Sequence, residues 1–465
     1  MTSDSHAPAH LMLSDRDVRA LGQRLVDFMI ARHLGAAHAS VGRVLEGRAL
    51  ERLMAASIPA QGRPIDEVWD QVTNDVLGHA LRLDHPRFFA YVPGPNNFVS
   101  VVADALVAAC NVFAGSWISG GGPAQIEINT IRWLAGACGL PAGAGGHFVS
   151  GGTHASLTGL MLAREVKHAG PLEQATAYCS DQTHASVLRA LRVLGIPAAN
   201  ARVLASDNAQ RLPVAATRER IKADLALGMR PFCVIANAGT TSTGAVDPIE
   251  DLAQICREYD LWLHADGADG AAAALCDPVI RRQLGVVDSL ALDPHKWLFQ
   301  PIECGCVLAR DGSLFARHFS MHADYLDNLG AGVSYLEEGI QLTRTTRALK
   351  LWMSLQVFGA DAFRAAVACG IGIAEKVERR VARSAVLEVV TPARIGIVTF
   401  APKRRAKSED ALITLCSAIR DSGYAMLSTT RVGGRPVLRM CTINPRTTDH
   451  DLEETLTRIE AAVSA

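Results

Sequence analysis

No charge of one sign dominates this chain of 465 residues: 46 lysines and arginines face 47 aspartates and glutamates, a formal net charge of -1. A nucleic-acid footprint needs a basic excess, so that class of partner is set aside. Long apolar runs are also missing. No stretch approaches the roughly 20 residues of a membrane span, and no membrane partner is expected. Met1 to Leu13 has no basic start followed by an apolar core, so no secretory signal is read there. The eleven cysteines lack the spacing of a disulfide framework, which predicts reduced thiols and a cytoplasmic protein. The tightest pair, Cys304-Gly305-Cys306, has no second pair or histidine at zinc spacing, so no metal is expected. Gly143, Gly145 and Gly146 do not make a dinucleotide fingerprint after a strand, which argues against a nicotinamide oxidoreductase. Internal repeats and low-complexity segments are absent.

What is present is an ordinary globular composition, 49% hydrophobic, in a chain too long for one core. Residues 1–85 read as a helical arm, with Ser14-Asp15-Arg16-Asp17 as a capping pattern before Val18, Leu21 and Leu25. Residues 86–345 alternate apolar strands with periodic helices, the pattern of an α/β domain. Residues 346–465 read as a small α+β domain, with strands near Ile395–Phe400 and Val437–Thr442 and helices near Asp410–Ser422 and Asp449–Val463. Met1–His10 is expected to be the least ordered piece.

Four pieces carry chemistry. Asp293-Pro294-His295-Lys296-Trp297 follows the short apolar run Val287–Leu292. Burial there favours loss of the Lys296 proton, and His295 and Trp297 suit the surroundings of a flat ring. Those are the needs of a lysine that holds pyridoxal phosphate as a Schiff base. The plainer alternative is a lysine snorkelling from a strand end. Upstream, Leu261–Ala268 is an apolar strand ending at Asp266, a carboxylate able to hold a pyridine nitrogen protonated, with Gly267 and Ala268 admitting a ring close to the backbone. Gly151-Gly152-Thr153 opens a periodic helix and offers N–H groups, a hydroxyl and a positive dipole end to a phosphate. His184, after the strand-like Ala177-Tyr178-Cys179, is placed to stack on the ring.

The joint order of phosphate turn, stacking histidine, ring-nitrogen acid and lysine resembles the group II pyridoxal-phosphate-dependent amino-acid decarboxylases, the aromatic-L-amino-acid decarboxylase family. The resemblance runs from about Asp84 to the end of the chain. It includes His85–Pro93, similar to the family's substrate-pocket segment, Asn237–Ser242, like its Gly-Thr-Thr turn, and Arg344–Trp352, like its arginine-rich segment before a helix. It implies fold-type I, the aspartate-aminotransferase architecture, with a mainly parallel seven-stranded sheet, and a homodimer with the active site at the subunit interface. The implied cofactor contacts are Lys296, Asp266, His184, Gly152, Thr153, Ala268, Thr240 and His295. The implied substrate contacts are Tyr91, Pro93 and Trp117. Arg347 is either a further contact or a structural ion-pair residue.

Between Leu326 and Leu342 lies a glycine-bearing segment. Counted back from Arg344–Lys350 without a gap, Tyr335 falls where the resembled enzymes carry the tyrosine that returns a proton to Cα. With Lys296, His184 and Asp266 it completes the catalytic set. Relatives with phenylalanine there release aldehydes. The reading is therefore decarboxylation of an aromatic or large hydrophobic L-amino acid to its amine, with oxidative aldehyde formation or transamination as the alternatives.

Some positions depart from the family pattern. Asp269 stands where an aromatic residue is usual, Asp293 where asparagine is frequent, and Ala185 where serine is common. Gly94 replaces a hydroxyl residue. Gly115 replaces an aromatic pocket residue, which leaves a ring-sized space for a bulkier substrate or for repacked side chains.

Overall fold

The apolar runs of the middle segment become seven strands: β1 Gly145–Val149, β2 Ala175–Ser180, β3 Ala201–Leu204, β4 Arg230–Asn237, β5 Trp262–Asp266, β6 Ser289–Leu292 and β7 Gly305–Ala309. They form one sheet in the order β1-β7-β6-β5-β4-β2-β3. β7 runs antiparallel to both its neighbours, β1 and β6; the other six strands share one direction. Every residue of β2, β5, β6 and β7 is buried. That is the state of strands covered on both faces, and it explains why they read as continuous apolar runs. Alternate side chains feed two cores. Val234, Leu263 and Leu308 join one, with Leu134 and Phe148. Ile235, Trp262 and Val307 join the other, with Leu160 and Val187.

This computed structural model describes residues 11–55, 57–321, 332–403 and 408–464. The expectation for Met1–His10, and the part of the glycine-bearing segment from Leu326 to Ala331, lie outside the described residues. The chain divides into two compact units, Met1–Ala39 and Ser40–Ala465. In the first, the helix Asp15–Leu34 begins as its sequence predicts: Ser14 Oγ accepts from the Asp17 N–H at 3.2 Å and donates to Asp17 Oδ2 at 2.7 Å. Val18, Leu25, Val26, Ile30 and Leu34 along it are exposed. The unit boundary falls inside the arm expected over 1–85. The reason lies within the second unit, where Val41, Phe88 and Ala90 pack on Met426 and the Phe89 N–H donates to the Met426 carbonyl at 2.8 Å.

A second sheet is antiparallel throughout. Its strands are β8 Leu387–Arg394, β9 Ile397–Pro402, β10 Ser428–Val432 and β11 Arg435–Cys441, in the order β10-β11-β9-β8. Helices Glu409–Asp421 and Asp449–Ser464 add Leu412, Leu415, Leu452 and Leu456 to a core with Val398, Phe400 and Leu438. The helix Ala348–Ala382 joins the two sheets. Leu351, Phe363 and Val367 enter the first core, while Ile373, Val377 and Val381 enter the core of the small sheet. The helix breaks at Gly359, with φ 77° and ψ 158°, a backbone state that glycine tolerates. Among the described residues it alone is long and apolar enough to cross a membrane. It contributes to two interior cores and carries the charged Asp361 and Arg364, which fits a helix of a folded domain instead.

The consequence for function is positional. β1, β2, β4, β5 and β6 end along the same edge of the large sheet, and each is followed by one of the turns singled out from the sequence. In open α/β sheets this is the edge outside which ligands bind.

Candidate active site

The first turn follows β1. The helix Gly152–Lys167 starts there, with its free N–H groups directed outward from the strand end. A Cβ on Gly152 would lie 2.9 Å from both Ala268 Cβ and Asp293 Oδ2, so only glycine permits this approach. β2 leads to His184, the N-cap of helix Ala185–Val193. His184 Nδ1 accepts from the Ser186 N–H at 3.3 Å and sits 2.8 Å from Ser186 Oγ, which assigns the ring proton to Nε2. Asn237, the last residue of β4, ties these ends together. Its Nδ2 donates to Ser180 Oγ and Thr183 Oγ1, each at 3.2 Å, and to Asp247 Oδ2 at 2.9 Å. Burial pushes the Asp247 carboxyl up to about 6.

β5 ends at Asp266, which is buried and accepts from the Ala268 N–H at 3.2 Å. Burial raises its carboxyl above the usual range, with the Lys296 charge opposing. β6 ends just before Asp293, and the short helix Pro294–Trp297 carries His295 and Lys296. Lys296 Nζ lies 3.1 Å from Asp293 Oδ2, and His295 Nδ1 lies 2.8 Å from the Cys304 carbonyl. Burial lowers the His295 imidazole from its ordinary value.

These turns enclose a cavity of about 340 Å³. Lys296, Asp266, His184, Gly152, Thr153, Ala268, Thr240 and His295 all line it, so the expected cofactor contacts meet in one place. One electrostatic expectation needs correction. Burial does work to lower the Lys296 pKa, but the acidic groups around it, Asp293 first, outweigh it. The net shift is upward from 10.5, and the lysine is held as ammonium.

Tyr335, Tyr91, Pro93 and Trp117 do not line this cavity. Tyr335 is buried in the turn Tyr335–Glu337, with the Arg344 guanidinium 4.6 Å from its ring centroid and His147 beside it at 6.5 Å. Burial holds its phenol well above the ordinary range. The turn is anchored by the Leu336 N–H on the Gly115 carbonyl at 2.9 Å. Arg344 in turn donates to Glu127 Oε1 at 2.6 Å, an oxygen that also accepts from the Phe148 N–H of β1 at 2.8 Å. Tyr91 is exposed, and its carbonyl accepts from Arg439. Arg347 Nη2 stands 3.5 Å from Glu303 Oε2, the ion-pair alternative.

Sequence reasoning missed several lining residues: Ser186, Asn237, Ile302 and Glu303 among them. Asn237 and Ser186 had a signal, as a polar residue at a buried strand end and one in a helix's first turn. Glu303 lies in a loop without one. The space left by Gly115 is filled from within. A Cβ there would sit 2.4 Å from Phe113 Cζ, so the Phe113 ring already occupies the room.

The model of the pyridoxal-dependent decarboxylase conserved domain matches residues 48–403. An aromatic-L-amino-acid decarboxylase of Bacillus atrophaeus is 42% identical over 463 residues, covering 97% of this chain and 96% of the relative. The chain belongs to the pyridoxal-dependent decarboxylases. A phenylacetaldehyde synthase of Arabidopsis thaliana is 28% identical, covering 95% of each chain. The solved Oryza sativa TDC with PLP and tryptamine superposes with a TM-score of 0.92 at 25% identity, covering 98% of this decarboxylase and 99% of that chain. The fold is accordingly fold-type I, and the cofactor of this decarboxylase is pyridoxal phosphate.

The residues present fit that cofactor. Gly152 lets the helix N-terminus come close to the neighbouring strand ends, and the free N–H groups of that terminus favour a phosphate. Asp293 Oδ1 and both Asp269 oxygens are buried without a hydrogen-bond partner in a polar cavity built around an amine. Such groups call for a polar occupant.

Proposed function

We propose that this decarboxylase removes the α-carboxylate of an aromatic or large hydrophobic L-amino acid and releases the amine and carbon dioxide. The observation that carries the reading is the convergence of Lys296, Asp266, His184 and the Gly152–Thr153 helix start on one cavity. The Bacillus relative is an aromatic-L-amino-acid decarboxylase, which supports the substrate class.

The pyridoxal ring, when bound, supplies an electron sink for the pair left at Cα when the carboxylate departs. Lys296, the amine of the cavity, would hold the cofactor. Asp266, buried and close to Lys296, keeps a proton on the ring nitrogen. His184, fixed by Ser186, would hold the ring from its side of the cavity. Gly152, Thr153 and the N–H groups of their helix take the phosphate, with Thr240, Ala268 and His295 completing the contacts. Tyr91, Pro93 and Trp117, which lie outside the cavity, would contact the substrate only where a second subunit brings them to it. Tyr335 returns a proton to Cα, aided by His184.

Tyr335 lies outside the cavity and is 3% exposed, so its proposed role requires the turn Tyr335–Glu337 to move. The homodimer we propose would cover Leu106, Ile118, Val357 and Phe358, all exposed. A cytoplasmic location is proposed on the eleven cysteines, none of which is paired.

The test is incubation with pyridoxal phosphate and a panel of L-amino acids, following amine and carbon dioxide by mass, with Lys296→Ala as the control. Amine and carbon dioxide in equal amounts, lost in the control, are expected. Keto acid would move the reading to transamination. Aldehyde with ammonia and peroxide would move it to oxidative decarboxylation. Light scattering at several concentrations tests the dimer.

A further inference from the structure

Asp269 is a residue that the expected contacts leave without a task. It lines the cavity, is 6% exposed, and neither carboxylate oxygen has a hydrogen-bond partner among the described residues. A buried carboxylate in that state is costly unless it is neutral or its occupant satisfies it. The charged groups facing it come from three elements. Asp266 lies on β5, Asp293 and Lys296 follow β6, and Arg439 stands on β11. Among the described residues that line the cavity the one ammonium, Lys296, is engaged by Asp293 at 3.1 Å. Arg439 donates Nε to the Thr241 carbonyl at 2.7 Å and Nη1 to the Tyr91 carbonyl, and neither bond reaches Asp269.

Three carboxylates thus crowd one lysine, and Asp269 is the one that lacks any bonded partner. Like charges crowded in one buried site disfavour one another's ionisation. Burial and the neighbouring Asp266 and Asp293 favour the protonated form of Asp269; Lys296 and Arg439 oppose it, and the net direction is upward.

We infer that Asp269 stands in the cavity as a neutral carboxylic acid and donates a hydrogen bond to an anionic oxygen of the occupant. Two oxygens share that chemistry: one on the cofactor, and the α-carboxylate of the substrate. The inference rests on the function proposed above only for the identity of the occupant. The protonation itself belongs to the chain.

Asp269→Asn keeps shape and a donor; Asp269→Ala keeps neither. In the cofactor-free protein, infrared difference spectra between wild type and Asp269→Asn should show the carbonyl band of a protonated acid near neutral pH. A carboxylate band instead would overturn the inference without touching the function. Cofactor affinity is then read by quenching of protein fluorescence, and the absorbance of the bound cofactor is followed against pH. Binding of the amino acid is compared with binding of its amine, which lacks the carboxylate.

If the cofactor is the acceptor, Asp269→Ala weakens cofactor binding on the order of tenfold or more and shifts its absorbance titration, while Asp269→Asn stays near wild type. If the substrate carboxylate is the acceptor, the same pattern appears in amino-acid binding and not in amine binding. Asparagine as weak as alanine in both arms would mean that an ionised carboxylate is needed, and would overturn the inference. So would three proteins that bind alike. A wild type that binds no cofactor would count against the function instead, and the infrared result would still stand or fall by itself.

Discussion

Lys296 Nζ and Asp293 Oδ2 lie 3.1 Å apart, three residues from each other across one helical turn. The pair stores the lysine as ammonium, whereas capture of an aldehyde requires the free amine. Asp293 is the carboxylate that contributes most to raising the Lys296 pKa. Capture of pyridoxal phosphate by the cofactor-free protein should therefore be slow at neutral pH and speed up as pH rises toward and beyond 10.5, the ordinary value. Asp293→Asn removes the leading opposing charge, so its rate profile should move to lower pH and be faster at neutral pH. Stopped-flow absorbance of the cofactor reads both. Identical profiles would show that Asp293 does not set the charge of Lys296.

Gly152 tests the cradle. Its Cβ position is taken by Ala268 and Asp293, each 2.9 Å away. Gly152→Ala must push the helix start from the strand ends, at about 1–3 kcal/mol of overpacking. We expect weaker cofactor binding on the order of tenfold or more, with the far-ultraviolet dichroism retained. Unchanged affinity would place the phosphate elsewhere.

Tyr335→Phe removes the phenol and nothing else. If the phenol returns the proton to Cα, amine formation should fall on the order of a hundredfold or more, with product passing to aldehyde, ammonia and peroxide. Amine yield per carbon dioxide is the decisive ratio. A ratio that stays at one, at an unchanged rate, would return Tyr335 to a packing role under Arg344.

Glu338 gives the fold a pH dependence. Burial first, then the Glu127 carboxylate, pushes it up to about 7 from 4.5, against Arg344. Its folded value is above its unfolded one, so the fold gains from the protonated form. That gain is complete below 4.5 and disappears as pH rises to about 7. Glu338→Gln cannot ionise. The stability difference between variant and wild type should grow in favour of the variant by on the order of 2–3 kcal/mol across that window, then level off. Denaturant titrations at several pH values measure it. Parallel curves would show that the carboxyl is solvated.

Much of the site was legible because each piece sits at the end of a strand. β5 and β6 are buried on both faces, so their apolar runs and abrupt polar ends, Asp266 and Asp293-Pro294-His295-Lys296, stand out against the pattern. The same holds for Gly151–Thr153 after β1 and His184 after β2. Phe113 was not legible. It sits two residues from Gly115, and only the backbone path shows that its ring enters the vacated space. The packing of Val41, Phe88 and Ala90 on Met426 was not legible either, because Met426 lies far along the chain.

By itself the sequence determined the strands, the order of the chemical turns and the family, since these follow from local periodicity and from residue types at set positions. Only the tertiary structure decided the charge state of Lys296, the isolation of Asp269 and the burial of Tyr335 under Arg344. Each depends on distance through space and on exclusion of water. Residues 266, 269 and 293 become one electrostatic group only when β5 and β6 lie side by side. Coulomb energy and desolvation are set by that geometry and by no spacing along the chain.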